Sequence, residues 1–235
     1  MNACRLVFCI AILNLVPSLH ADLIVVKESS QQDQFGTHKT TTIEKYHGDW
    51  VRDERTLDGT RIVSLTNLRT GDIYQAMPDG TMVKSTYGER KPDAEEGVKH
   101  LQKISGSKGK LEWKSTGRHE KVGDWDTEIF TFEGPLSKGT AWVAPALAKY
   151  KEKLKRGTAD TTGYKDQFWA DEAGLPGIIV RDEAEINSGK IMQASLPPEA
   201  KVHVDYSGMR TKTTSRIVSI EEKELPASEF ELPAP

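Results

Sequence analysis

The sequence predicts a β-dominated α+β protein built on an antiparallel sheet, and three observations carry that prediction. Turn signals recur at short intervals between alternating segments, at Asp58-Gly59, Thr70-Gly71-Asp72 and Pro78-Asp79-Gly80. Only two stretches have clear helical spacing. The segment Gly123 to Ala144, GDWDTEIFTFEGPLSKGTAWVA, reads as two strands joined by a Gly/Pro turn. It carries Trp125, Ile129, Phe130, Phe132, Trp142 and Val143.

The chain of 235 residues opens with MNACRLVFCIAILNLVPSLHA. Arg5 followed by the apolar run Leu6–Val16 has the form of a signal peptide, too short to span a bilayer, with cleavage expected after Ala21. Both cysteines, Cys4 and Cys9, fall in that leader. The mature chain then has no disulfide, thiolate ligand or cysteine nucleophile, and its core alone must hold the fold. Nothing marks a domain boundary, so residues 22–235 are expected to form one domain, periplasmic or secreted. A net charge of −3 gives no basic excess that would suit nucleic acid.

Taken in order, Asp22 to Glu28 reads as a strand and polar Ser29 to Gly36 as a turn. Lys39 to Tyr46 and Trp50 to Leu57 alternate as strands. Arg61 to Leu68, Ile73 to Met77 and Thr81 to Tyr87 continue the meander. Asp93 with Glu96 opens the first helix in capping-box fashion, and Ser105-Gly106 ends it. Leu111 to Arg118 is a further strand. Pro145 starts the second helix, which runs to Arg156 with Leu147, Tyr150 and Leu154 on one side. Gly157 to Gly174 has no clean period. Gly177 to Ile186 reads as a strand with Ile178, Val180, Ala184 and Ile186 on one face. Lys190 to Leu196 and possible short Lys201 to Tyr206 also read as strands. In Thr211 to Glu224, Val218 and Ile220 are expected to point inward.

Chemistry-bearing motifs are absent from the string: no G-x-S-x-G, H-E-x-x-H, P-loop or G-x-G-x-x-G occurs. The histidines beyond the leader, His38, His47, His100, His119 and His203, are single and scattered. Adjacent acids such as Asp53/Glu54 point to opposite strand faces and cannot act as a couple. Asp182 stands out on the apolar side of its strand, either buried with a raised pKa or at the sheet rim. No catalytic residue, metal ligand or cofactor is therefore assigned, and a hydrolase reading ranks last.

Several short segments, in this order, carry a family resemblance: "GDWVRDE", "GDWDTEIFTFEG", "GTAWVAP", "GLPGIIVRDE" and "TSRIVSIEEKELPASEFELP", with Phe230 and Pro233 in the tail. The arrangement resembles exported bacterial domains of unknown function with a LolA-like fold, similar to the periplasmic lipoprotein carriers. That resemblance implies a strongly curved antiparallel sheet, an unclosed half-barrel, with two or three helices on its concave side. In the carriers the concavity holds acyl chains.

Two functions follow as expectations. The first is a non-catalytic binding module for a lipid, a lipidated protein or another hydrophobic ligand. Its candidate lining is Trp125, Ile129, Trp142, Ile178, Val180 and Met192, with Tyr164, Phe168 and Trp169 as a lid. Lys149, Lys153 and Arg156 are candidates for transient contact with an anionic membrane surface. The second is a structural or protein-interaction domain of the envelope, in which the same apolar residues fill a core.

Overall fold

A computed structural model of the chain describes residues 22–77, 81–86, 99, 103, 111–157, 172–195, 205–206 and 208–232. The leader, most of the first expected helix and the lid candidates Tyr164, Phe168 and Trp169 lie outside these residues. Among the described residues eleven strands form one antiparallel sheet: β1 Leu23–Asp33, β2 Gly36–His47, β3 Trp50–Leu57, β4 Thr60–Asn67, β5 Asp72–Ala76, β6 Met82–Thr86, β7 Lys114–Val122, β8 Trp125–Glu133, β9 Ser137–Ala144, β10 Ile178–Ile186 and β11 Thr211–Glu222. Their order is β6-β5-β4-β3-β2-β1-β11-β10-β9-β8-β7, and the ends, β6 and β7, do not pair, so the sheet is unclosed.

Helical structure is sparse among the described residues. A 3-10 turn, Pro145–Tyr150, runs into helix α1, Lys151–Gly157. Helix α2 spans Ser188–Ser195, and a 3-10 turn, Ala227–Phe230, sits in the tail. Pro145 opens its turn as the sequence suggested, because its fixed φ and missing N–H suit a helix start. No helix among the described residues is long and apolar enough to cross a membrane.

Several elements differ from the sequence reading. Ser29–Asp33 continues β1 instead of turning, because β2 and β11 flank it and satisfy its backbone in both directions. Residues 190–195 are helical, not extended. Asn187 Oδ1 accepts the Lys190 N–H at 2.9 Å and caps α2. Gly189 packs so closely that a Cβ there would meet Tyr206 O at 1.7 Å. Leu111–Trp113 precedes β7 instead of forming part of it.

Two bulges account for the remaining errors. In the β1/β11 ladder Val26 pairs with Ser219 but Lys27 with Ile217, leaving Val218 as the extra residue. Ile217 is therefore buried, and Val218, expected inward, is 47% exposed. In the β9/β10 ladder Ile179 pairs with Val143 but Arg181 with Trp142, leaving Val180 extra. Parity reverses there, so Ala184 and Ile186 do not share the face of Ile178.

The β10/β11 ladder covers Arg181–Ile186 against Thr211–Arg216 and goes no further. Beyond that last rung the two strands part, each past its own bulge. Through the rungs Trp142↔Arg181↔Arg216↔Glu28, Trp142 shares a face with Glu28. Val25 and Leu23 lie on the opposite face of β1. Trp142, Val25 and Leu23 nevertheless join one buried cluster, with Leu147 and Leu154 of the helical segment. The main core thus forms where β10 and β11 separate.

Smaller clusters lie beside the main one, among them Leu111 and Phe132 with Trp113. Leu225 and Phe230 of the tail pack on Leu65, with Ile24, Trp50 and Tyr74 around them. Lys45 Nζ reaches Glu229 Oε2 at 2.5 Å, and Arg52 donates to the Glu229 carbonyl at 2.9 Å. Behind β8 and β9, Phe130, Ala141, Val143 and Leu175 form a second cluster.

Candidate functional site

The opening hairpin of the sequence reading is present as β8 and β9, with Trp125 and Ile129 on one face and Phe130 and Phe132 on the other. Ile129 lies directly opposite Trp142. Trp142 Nε1 donates to Glu120 Oε2 at 2.9 Å, giving the buried indole the polar partner it requires. The Arg181 guanidinium stacks 4.3 Å from the centroid of its ring. Neither Glu120 nor Arg181 was singled out from sequence. The signal for Arg181 was the abrupt end of an apolar run in GIIVRDE.

Five of the six lining candidates come together. Ile129, Trp142 and Val180 are buried members of the main cluster, and Trp125 and Ile178 pack against it. Met192 does not join them: it lies on α2, 38% exposed. The roof is the segment Pro145–Gly157, through Leu147, Leu154 and Tyr150. It is tied down at its margins. Tyr150 Oη donates to Glu222 Oε1 at 2.7 Å, Lys149 Nζ donates to the same oxygen at 2.9 Å, and Lys151 Nζ reaches the Leu175 carbonyl at 2.5 Å.

The cationic candidates have different surroundings. Lys149 pairs with Glu222 and lies 4.6 Å from the Tyr150 ring centroid. Hydrogen bonds with Tyr150 and Glu222 raise its ammonium pKa, so it keeps its charge. Lys153 is partly buried, and burial lowers its pKa against the pull of Asp22 and Glu222. The Arg156 side chain lies outside the described structure.

Below the bulges the same strands are polar. A depression of about 770 Å³ is bordered by Lys114, Thr131, Lys138, Thr140, Glu183 and Lys212, among others. A second, of about 690 Å³, is bordered by Glu28, Lys39, Thr41, Arg181, Thr214 and Arg216, among others. Asp182 lies opposite Ser215 and accepts its hydroxyl, part-buried within the sheet and not at its edge. A buried polar group also underlies β1 and β2. Glu44, 8% exposed, accepts from Tyr46 Oη at 2.7 Å and from Lys27 Nζ at 2.6 Å. Burial, then the Glu44 charge, pushes the Tyr46 hydroxyl pKa well up. Among the described residues no group of three or more His, Cys, Asp or Glu could hold a metal ion.

No family model matches the chain. No curated protein matches it either. Solved structures do. PNGF-II in a C2 crystal form matches at TM-score 0.36 and 9% identity, over 89% of this chain and 29% of that one. The chain therefore spans less than a third of the PNGF-II chain. A domain named for outer membrane lipoprotein sorting, from Vibrio parahaemolyticus, matches at TM-score 0.32 and 11% identity over 89% of both chains. A DUF1329 family protein from Desulfovibrio piger matches at TM-score 0.32 and 12% identity over 90% of both.

Proposed function

We propose that this is an exported, non-catalytic binding module of the bacterial envelope that takes a lipid, a lipidated protein or another apolar ligand. The ligand enters between the sheet and the segment Pro145–Gly157. The sheet, bent where β10 and β11 part, is the wall of an unclosed half-barrel with that segment on its inner side. The observation that carries this reading is the cluster itself, which draws residues from β1, β2, β3, β8, β9, β10 and β11 under one short helical roof. Seven adjacent strands laid flat would extend about 29 Å, against the ~10 Å width of a helix, so a wall curved towards the roof suits one shared cluster. The roof packs with two leucines and a tyrosine, and its ties to Glu222 are exposed. Lifting it uncovers Trp142, Ile129 and Ile178, and an acyl chain replaces the buried contacts at about 25 cal/mol per Å².

Native mass spectrometry of protein purified without detergent tests this. The expected result is a bound mass that is released on denaturation. Protein that is always ligand-free, and that leaves an environment-sensitive hydrophobic dye dark, would overturn the reading.

A second reading has an observation of its own. The two depressions are bordered mainly by charged and hydroxyl side chains, while the apolar candidates are packed. These features suit an envelope interaction domain with a filled core, and the dark-dye outcome selects it.

A further inference from the structure

The geometry points to an anionic-headgroup site at the last rung of the β10/β11 ladder. Arg181 and Arg216 hold the phosphodiester of an amphiphile whose apolar part enters the main cluster. This rests on the function proposed above and narrows its ligand to a phosphate-bearing amphiphile.

Register puts Arg181 and Arg216 directly opposite one another. Like charges in that position are unfavourable in a sheet unless something neutral or negative lies between them. Each has one carboxylate of its own. Arg181 Nη2 donates to Glu183 Oε1 at 2.6 Å, and Arg216 donates through Nε and Nη2 to Glu28 Oε2 at 3.0 and 2.7 Å. These bonds run through Nη2 of Arg181 and through Nε and Nη2 of Arg216, and both side chains are partly exposed, so further guanidinium donors face the depression's solvent. A guanidinium offers five donors in a planar fork, and phosphate oxygens fit that fork.

The surroundings fit a headgroup. The 690 Å³ depression is lined by both arginines and Lys39, and by Ser30, Thr41 and Thr214, whose hydroxyls share the arginines' face by register. Three cations face two carboxylates, Glu28 and Glu183, so one positive charge remains for the ligand. Arg181 also stacks on Trp142, a member of the apolar cluster. One side chain therefore marks the boundary between polar depression and apolar core. It does so at the rung beyond which β10 and β11 separate, where a chain could pass inward.

Monomeric dihexanoyl phosphatidylglycerol, octyl maltoside (a neutral amphiphile) and inorganic phosphate, each titrated by calorimetry, test the proposal. Wild type is expected to prefer the phosphatidylglycerol. R181Q/R216Q should weaken that ligand about tenfold or more and leave octyl maltoside unchanged, as expected when charge-assisted hydrogen bonds are lost. R181K/R216K, which keeps the charge without the fork, should fall between. Both arginines are partly exposed, and unchanged thermal unfolding of the variants checks that they fold. Equal binding of both amphiphiles by wild type, or an undiminished preference in R181Q/R216Q, overturns the headgroup site and leaves the binding module standing. Phosphate binding that depends on the arginines, without binding of either amphiphile, means a free-anion site and overturns the lipid source. No binding of any probe overturns both.

Discussion

The two ends of the same four strands behave as different materials. In β1, β9, β10 and β11 one end is apolar: Leu23–Val26, Ala141–Ala144, Ile178–Val180 and Ile217–Ile220. The other end is polar: Lys27–Asp33, Ser137–Thr140, Arg181–Ile186 and Thr211–Arg216. Antiparallel register stacks like with like, because Ile178 lies opposite Ala144 and Val25 opposite Ile220. Both bulges fall at the changeover, at Val218 and Val180. A bulge adds a residue and local twist. Placed there, the pair lets β10 and β11 stay joined at the polar end and separate at the apolar end. Stability should therefore reside at one end and solvent-facing chemistry at the other.

The largest expected effect tests that division directly. Trp142→Ala removes a side chain 8% exposed from the main cluster and should destabilise the fold by about 3–5 kcal/mol. Thr214→Ala, on the floor of both polar depressions, should stay within about 0.5 kcal/mol. Urea unfolding of both variants checks the contrast. Comparable losses would mean that the polar end also carries the fold.

The junction with the roof comes next. A Cβ on Gly177 would lie 2.1 Å from Ala144 O and 2.5 Å from its carbonyl carbon. These are backbone atoms at the start of the Pro145 turn, and neither can swing away as a side chain tip does. Gly177→Ala should cost about 1–3 kcal/mol by overpacking and should raise hydrophobic-dye binding by loosening the roof. Wild-type dye binding in that variant would show that the roof tolerates the shift.

The tail side gives a pH-dependent contrast. Burial pushes the Glu54 carboxyl up, but hydrogen bonds from Arg52 and Arg61 and the charges of Arg52 and Lys45 outweigh it, holding its pKa at about 2. Its side chain is 12% exposed. A carboxyl held below its ordinary value stabilises the fold above that value and loses the contribution as pH falls through the folded pKa. Glu54→Gln should cost roughly 2 kcal/mol near neutral pH. The gap to wild type should shrink from about pH 4.5 downward and close near pH 2. A gap constant with pH would assign the loss to packing.

How far the sequence could be read follows from the same two ends. The apolar halves were legible because burial imposes a pattern on them: the β8/β9 hairpin, the Pro145 start and the Leu147/Tyr150/Leu154 stripe were all visible. Ser29–Asp33 was not, because a strand paired on both sides needs no apolar residues, and its polar string looks like a turn. Helix α2 carried its signal in Asn187, which caps it, but Asn-Ser-Gly also spells a hairpin turn. Tail docking depends on contacts far apart in sequence, such as Asp22 Oδ2 accepting the Leu225 N–H at 2.8 Å. Arg181 and Arg216 become neighbours only through register.

The smallest effect is the sharpest test of the bulge itself. Strict alternation along Thr211–Glu222 puts Val218 and Ile220 inward and Ile217 outward. With Val218 as the extra residue, Ile217 is 8% exposed and Val218 47%. The two readings make opposite claims about adjacent β-branched residues. Val218→Thr keeps the branching and adds a hydroxyl at a half-exposed position, so it should change stability by less than about 0.5 kcal/mol. Ile217→Thr buries that hydroxyl beside Val25 and Val180 and should cost about 1–3 kcal/mol. Equal costs at the two positions would remove the bulge, and with it the parting of β10 and β11 on which the proposed entry depends.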